Sequence, residues 1–228
     1  MIRIEQLSES SLIIYFGEGI DPALSARVRQ SVDAIAAQYG DLLADMVPSY
    51  SSLHITFCLG RISGSVLRTK LLQLLQQLDT EPAGGEALTV LEIPVYYGPE
   101  VGLDVEEVAG CNGLSRSQVI EMHCAAPYRV YAIGFSPGFC YLGSIPKQLA
   151  MPRKATPRGR VPAGSVAIAD RQTAIYPDNS PGGWQVLGRT PLPMHPTNPQ
   201  APHLQVGDLV QFKAIDKRQF LSQGGVLD

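Results

Sequence analysis

Proline is distributed unevenly along this 228-residue chain, and that constrains the fold more than any other feature. Only three of the 18 prolines lie in residues 1–83, and the other 15 lie between Pro94 and Pro202. Proline interrupts helices and central strands, so the two parts must be built differently. The change falls at 81–86, a Pro- and Gly-containing stretch typical of a connection. The sequence therefore predicts two domains, residues 1–83 and 87–228.

The first part alternates between strand and helix signals. Asp21-Pro22 begins a helix, because Asp caps a first turn well and Pro suits the first helical position. A second apolar stripe at helical spacing runs from Leu67 to Leu78. Four short apolar segments predict strands at 2–7, 12–16, 46–50 and 53–59. The resulting order, ββαββα, favours an α+β sandwich of ferredoxin-like type.

The second part opens with two short helices and continues as strands. Asp104 with Glu107, and Ser115 with Gln118, each have the spacing of a capping box at a helix start. Beyond Pro127 the helical signals stop, and Gly/Pro turns separate short apolar segments. The strands are predicted at 88–96, 128–135, 166–169, 173–176, 185–187 and 209–213. This pattern predicts a β-barrel or sandwich with a few helices.

Composition and charge narrow the classes of function. Lys and Arg number 18 against 21 Asp and Glu, so the net charge of -3 disfavours nucleic acid as a partner. No apolar run approaches the ~18 residues of a membrane span, and the first ten residues have no signal-peptide core. We therefore expect a cytoplasmic protein with four free thiols and no membrane partner. The histidine and cysteine spacings predict no metal site.

Residues 151–161 are the stretch most informative about function. Arg153, Lys154, Arg158 and Arg160 place four cations within eight residues, and the prolines at 152, 157 and 162 discourage a helix there. A stiff cationic loop suits a carboxylate or phosphate, because arginine binds such groups through two parallel hydrogen bonds. The alternative is a solvated basic loop without a ligand.

Two glycine-rich stretches have a functional and a plain interpretation. The stretch 134–138 matches the G-x-S-x-G nucleophile elbow, but Pro137 follows the serine and has no N–H for an oxyanion hole. We interpret it as a loop. In the stretch 180–184, Gly182 and Gly183 could let backbone amides approach an anion, or simply form a turn before a core Trp184.

The ordered motifs of the chain resemble one known family. The resemblance rests on VPSYSSL at 47–53, YRVY at 128–131, GFSPGF at 134–139, YLG at 141–143, RGRVPAGSV at 158–166, QT at 172–173, YP at 176–177, SPGGW at 180–184 and GRTP at 188–191. Together they are similar to the family of B-type 5-oxoprolinase subunits, also called the kinase-inhibitor or allophanate-hydrolase subunit 1 family. The resemblance covers nearly the whole chain.

The resemblance implies a ferredoxin-like N-terminal domain and a cyclophilin-like β-barrel C-terminal domain. It also implies one component, inactive alone, of a bacterial ATP-dependent 5-oxoprolinase that opens 5-oxoproline to L-glutamate. Its partners would be the A-type and C-type components of that enzyme, and ATP would be used by the complex. The first alternative is a binding module that inhibits a sensor histidine kinase. The second is a carboxyltransferase-type component acting on urea or another amide.

Within the enzyme interpretation, the cationic loop supplies the site. Arg158 is expected to stabilise developing charge, and Arg153 and Arg160 are expected to hold the charged groups of the substrate. Gln172 would offer an amide hydrogen bond, and Gly182 and Gly183 would offer backbone donors. His123, which could instead complement a helix dipole, is the acid/base candidate. An incomplete catalytic set is expected if the site is shared with the C-type partner.

Overall fold

A computed structural model describes residues 2–78 and 90–227 of the chain. The chain forms two compact units, Met1–Ala87 and Leu88–Asp228. The predicted domain limits, residues 83 and 87, fall in the stretch 79–89 and so lie outside the described residues.

The first unit is a four-stranded antiparallel sheet with two helices. Its strands lie in the order β1-β2-β4-β3, and all three pairings are antiparallel. Apolar side chains of β2, β4 and both helices form one core. The predicted order ββαββα is confirmed, and the elements are β1 (Arg3–Ser8), β2 (Ser11–Tyr15), α1 (Pro22–Tyr39), β3 (Leu43–Ser49), β4 (Ser52–Phe57) and α2 (Gly64–Leu78).

The start of α1 follows the sequence signal. The Asp21 side chain accepts a hydrogen bond from the backbone N–H of Ala23 at 2.7 Å, and Pro22 occupies the first turn. Both features satisfy or avoid backbone N–H groups that a helix start leaves unpaired. The α+β class is thus confirmed for this unit, and its ferredoxin-like name stays a prediction.

The second unit is a closed β-barrel of seven strands. The strands follow the order β6-β13-β5-β12-β9-β10-β7, and β7 pairs back with β6 to close the ring. The β13–β5 pair is parallel and the other pairs are antiparallel. The barrel strands are β5 (Val90–Tyr96), β6 (Tyr128–Ile133), β7 (Cys140–Gly143), β9 (Ser165–Ala169), β10 (Gln172–Ile175), β12 (Gln185–Arg189) and β13 (Leu209–Ile215).

Three helices and a separate two-stranded sheet accompany the barrel. The helices are α3 (Val105–Asn112), α4 (Arg116–Cys124) and α5 (Lys217–Ser222). The small sheet pairs β8 (Arg158–Val161) with β11 (Ser180–Gly182). The barrel is the closed alternative of the predicted barrel or sandwich, whereas its cyclophilin-like name stays a prediction.

The barrel strands bury apolar side chains on both faces. In β9, Val166 and Ile168 belong to the main barrel core, whereas Ala167 and Ala169 belong to a second cluster with Trp184. Successive side chains of a strand point to opposite faces, so this second cluster is an outer apolar layer. Val161 of β8 packs in this layer, which places the small sheet against the outer face of the barrel.

Local predictions differ from the structure at the shortest elements and at one cap. The strands β7, β8 and β11 were not predicted, and neither was α5. The capping box at Ser115 and Gln118 is confirmed by both of its hydrogen bonds. The capping box at Asp104 is wrong: Asp104 is the residue before α3, but its side chain makes no cap hydrogen bond.

Candidate functional site

The small sheet and the segment before it bring most of the predicted site residues together. Arg158 of β8 lies opposite Gly182 of β11, and the backbone N–H of Lys154 donates to the carbonyl of Gly183 at 2.7 Å. These contacts hold the 152–154 segment, β8 and β11 as one surface. Among the predicted residues, Arg153, Arg158, Gly182 and Gly183 therefore share one site.

Asp104, which the sequence pattern assigns to a helix cap, is the centre of this site. Its side chain is 2% exposed and accepts two hydrogen bonds from the Arg158 guanidinium, at 2.9 and 2.6 Å. It also accepts from the backbone N–H of Val186 at 2.6 Å, and the Lys154 Nζ lies 2.9 Å away. Arg158 is thus bound in two parallel hydrogen bonds to a buried carboxylate.

Opposing effects set the protonation of Asp104. Burial is the largest effect and raises the pKa of its carboxyl. Hydrogen bonds from Arg158, the Val186 N–H and Lys154, with the charge of Arg158, together outweigh burial and hold the pKa below its ordinary value. Asp104 is therefore a carboxylate at neutral pH, and its charge is compensated by the two cations.

Arg153 occupies a different position from the other cations of the loop. It is exposed, and its guanidinium carbon lies 5.8 Å from the centre of the Trp184 ring. Trp184 itself is 5% exposed. A guanidinium over an indole face is a cation–π contact, which leaves the guanidinium N–H groups available to an anion.

The tryptophan belongs to a cluster of rings on the outer face of the barrel. Phe139 makes edge-to-face contacts with Tyr141, Tyr176 and Trp184, with centroids 4.9, 5.2 and 5.8 Å apart. Trp184 is buried, as the core interpretation expected, but residues 180–182 before it form strand β11 and not a turn. Phe135 continues the cluster towards solvent: it contacts Phe139 at 5.3 Å and is itself 67% exposed.

The loop that carries Phe135 is not a nucleophile elbow. Residues 134–139 connect β6 to β7, no helix follows, and the N–H of Phe139 bonds back to the carbonyl of Ser136. Phe135 has a φ of +75°, a conformation that bulky side chains rarely adopt. The interpretation of this stretch as a loop is confirmed, and its strained backbone presents an aromatic side chain at the surface.

The two glycines of the site differ in their surroundings. A Cβ on Gly182 would lie 2.3 Å from the Tyr176 hydroxyl, which is not possible without movement of a buried ring. A Cβ on Gly183 would lie 3.6 Å or more from its neighbours. Only Gly182 is therefore needed for close packing.

Two further predicted residues lie on neighbouring strands. Arg160 is on β8, exposed, two residues beyond Arg158. Gln172 begins β10, where its Cα lies opposite Gly143 of β7 and Ala169 of β9. Arg160 thus shares the strand of Arg158, whereas Gln172 belongs to the barrel wall.

His123 is buried inside the barrel unit, whereas Arg153 is exposed. Its ring has no exposed surface and stacks on Phe212 with centroids 4.7 Å apart. Nδ1 lies 2.8 Å from the Tyr97 hydroxyl, and Nε2 lies 3.0 Å from Thr173 Oγ1. Both ring nitrogens are thus satisfied by buried neighbours.

The hydrogen-bond pattern fixes where the His123 proton sits. Thr173 donates its hydroxyl proton to the carbonyl of Ala167 at 3.1 Å, so its oxygen must accept from His123 Nε2–H. Nδ1 is then an acceptor, and Tyr97 donates to it. The Tyr97 oxygen, 3.4 Å from Cys124 Sγ, is left to accept from the thiol. A single direction of donation therefore runs from Cys124 to Ala167.

Burial also changes the titration of His123. Removal from water lowers the pKa of its imidazole to about 3. At neutral pH the ring is uncharged, so it does not complement a helix dipole as one interpretation suggested. In this conformation its ring nitrogens face only Tyr97 and Thr173, so acid/base work on a substrate would require it to be uncovered.

The described residues form neither a metal cluster nor a membrane span. In residues 2–78 and 90–227, no three His, Cys, Asp or Glu side chains gather as metal ligands would. Over the same ranges, no helix has the length and apolar character needed to cross a bilayer.

Comparison with known proteins defines the class of this chain. The model of the carboxyltransferase domain, subdomain C and D, matches residues 2–205, and the chain belongs to this family. The B-type 5-oxoprolinase subunit of Bacillus subtilis is 34% identical over 233 residues, which cover 96% of this chain and 95% of that protein. The family resemblance drawn from the motifs is therefore confirmed.

Solved structures agree on the fold. The crystal structure of TTHA0988 superposes with a TM-score of 0.79 at 37% identity, covering 95% of this chain and 41% of that one. This chain thus spans about two fifths of that protein. The Kluyveromyces lactis urea carboxylase gives a TM-score of 0.72 at 17% identity, covering 98% of this chain and 23% of that one, which supports the fold alone.

Proposed function

We propose that this chain is the B-type subunit of an ATP-dependent 5-oxoprolinase, which opens 5-oxoproline to L-glutamate. The observation that carries the proposal is its 34% identity to the B-type 5-oxoprolinase subunit of Bacillus subtilis over 95% of that protein. A-type and C-type subunits would complete the enzyme, and the complex would be cytoplasmic. The ferredoxin-like and cyclophilin-like names of the two units belong to the same proposal.

The site residues suit a small carboxylate. In this proposal the exposed guanidinium of Arg153 binds the carboxylate of 5-oxoproline, and the apolar ring atoms of the lactam rest near Trp184 and Phe135. Arg160 adds positive charge on the same strand as Arg158. The charge of any intermediate formed by coupling lactam opening to ATP would be stabilised by these arginines and by backbone N–H groups of Gly182 and Gly183.

The chain would supply only part of the catalytic set. Arg158 is bound to Asp104, and His123 is enclosed by Tyr97, Thr173 and Phe212. In this arrangement neither side chain is positioned to exchange a proton with a ligand on Arg153. The remaining groups, and the site that uses ATP, are therefore assigned to the partner subunits.

A second candidate is a carboxyltransferase-type component acting on urea or another amide. The matched family model, which describes subdomains C and D of a carboxyltransferase domain, favours it. That function would need a partner that carries biotin, whereas the 5-oxoprolinase would not. The two candidates are thus distinguished by what binds the chain in the cell.

A tagged purification from the native cell, with the co-purifying proteins identified, tests the proposal. We expect A-type and C-type 5-oxoprolinase subunits in roughly equal amounts. A biotin-carrying partner without them would favour the carboxyltransferase. A sensor histidine kinase without them would make the chain a regulator and would contradict the proposed function.

A further inference from the structure

We propose that Asp104 is a positioning residue that fixes Arg153 for the carboxylate of the ligand. Only the identity of the ligand rests on the proposed function. The positioning role follows from the contacts of Asp104, a residue that the sequence pattern assigned to a helix cap.

Asp104 joins three separate segments of the chain. Its carboxylate binds Arg158 of β8 and Lys154 of the preceding segment, and it accepts the N–H of Val186 in β12. The backbone N–H of Asp104 also donates to the Val186 carbonyl at 2.9 Å. A buried carboxylate is stable only while these partners stay in place, so it fixes the three segments relative to each other.

The backbone on both sides of Arg153 is held by this arrangement. On one side, Lys154 binds Asp104 and Glu107 through Nζ and the Gly183 carbonyl through its N–H. On the other side, Gln185 donates to the Pro152 carbonyl at 3.1 Å and accepts from Lys154 Nζ at 3.1 Å. The backbone on each side of Arg153 is therefore held in place by hydrogen bonds.

The cations around Asp104 therefore divide into two roles. Arg158 and Lys154 are compensated by Asp104 and Glu107, and they hold the segment together. Arg153 forms no ion pair with a carboxylate among residues 2–78 and 90–227, and its guanidinium rests over Trp184. A preorganised, uncompensated guanidinium is what a carboxylate ligand needs, because little ordering remains to be done on binding.

The test uses a double-mutant cycle on the KM for 5-oxoproline in the complex with the A-type and C-type subunits. We expect Asp104→Asn to raise the KM about tenfold, because the new amide donates towards Arg158 and Lys154 and releases the segment. Arg153→Gln should raise it by at least as much. The double variant should be no weaker than Arg153→Gln alone, since Asp104 acts through Arg153.

A matched control and a second variant accompany the cycle. Glu106→Gln removes a carboxylate of α3 that pairs with Arg116 of α4 and not with the cations around Asp104, and the KM should change less than twofold. Arg158→Lys replaces Asp104→Asn if that variant does not fold, and the same non-additivity is expected. The proposal would be overturned by an unchanged KM in a folded Asp104 variant. It would also be overturned if the fold-increase in KM of the double variant equalled the product of the two single increases.

A second readout separates this inference from the proposed function. Trp184 is the single tryptophan of the chain, so its quenching by acrylamide in the free chain reports directly on the segment over it. We expect at least a twofold rise in quenching in Asp104→Asn and no change in Glu106→Gln. If the complex does not act on 5-oxoproline, the proposed function fails, and unchanged quenching in Asp104→Asn would overturn the positioning role independently.

Discussion

Asp104 and His123 are both buried, yet one is charged and the other neutral. Burial alone disfavours the charged form of each. Asp104 overcomes that effect because Arg158, Lys154 and a backbone N–H surround its carboxylate. His123 has only Tyr97 and Thr173 as partners, so burial lowers its pKa unopposed. Asp104 is thus charged because cations and a backbone N–H surround it, whereas His123 has only uncharged hydroxyl groups at its ring nitrogens.

Arg158 can stabilise the fold by compensating the charge of Asp104, or it can contact the reacting atoms, and one variant distinguishes these two roles. In Arg158→Ala the buried Asp104 keeps only Lys154 and the Val186 N–H, and we expect the free energy of unfolding to fall by about 3 kcal/mol. Turnover should fall as well, and urea denaturation measures the stability. Lys213→Ala, which breaks an exposed pair with Glu92, should change stability by less than about 1 kcal/mol. Lost turnover with unchanged stability would instead mean that Arg158 contacts the reacting atoms.

His123 makes a prediction about pH. The folded pKa is about 3 against an ordinary 6.5, so below pH 6.5 the unfolded chain binds a proton that the folded chain does not. The free energy of unfolding should therefore fall as the pH drops from 6.5, by up to about 1.4 kcal/mol per pH unit. Urea unfolding between pH 7.5 and 5 measures this slope.

His123→Gln provides the control for that slope. Glutamine keeps an amide that can bond in the cavity but does not titrate, so the variant should be less stable at pH 7.5 and have a shallower pH dependence. Asp104 does not confuse the comparison, because its pKa lies below the tested range. Equal slopes in the two proteins would show that His123 is not the titrating group.

At the scale of elements, the sequence predicted what local patterns determine. The strands β6, β9, β10, β12 and β13 each have apolar residues between Gly/Pro turns, and the structure has a strand at each place. The strands β8 and β11 exist because they pair with each other across about twenty residues. Their sequences, rich in Arg, Gly and Pro, have no strand pattern of their own.

The candidate site was predictable in part for the same reason. The four cations within residues 153–160 predicted a site for a carboxylate or phosphate. The structure places Arg153, Arg158 and Gly182 together there. Asp104 was missed because an acidic residue before a helix has a local explanation as a cap. The one signal available was that several neighbouring cations require a counter-charge, and spacing cannot identify which acid provides it.

The β8–β11 element makes a stability prediction with its own internal control. Gly182→Ala would press a methyl group against the buried Tyr176 ring, and we expect a loss of about 1–3 kcal/mol of unfolding free energy. Gly183→Ala, one residue away with open surroundings, should stay within about 0.5 kcal/mol of the native protein. Trp184 fluorescence during urea unfolding measures both, and equal losses would contradict this packing.

At the scale of the whole molecule, the features of the chain suit one subunit of a larger enzyme. Its exposed Arg153 lies over the Trp184 ring, whereas its buried His123 is enclosed in the barrel core. Under the proposed function, such an arrangement would bind and orient a ligand without completing a reaction. The family and the Bacillus subtilis relative agree with this view. The central claim of the proposed function is that the chain works only as one part of a 5-oxoprolinase.

The most direct measurement is 5-oxoproline-dependent ADP release by a mixture of the A-type and C-type subunits, with and without this chain. We predict release only when all three are present, with L-glutamate formed in equal amount, and no release by this chain alone. Arg153→Gln should raise the 5-oxoproline concentration needed for half-maximal release. Equal release without this chain, or none from the complete mixture, would contradict the account.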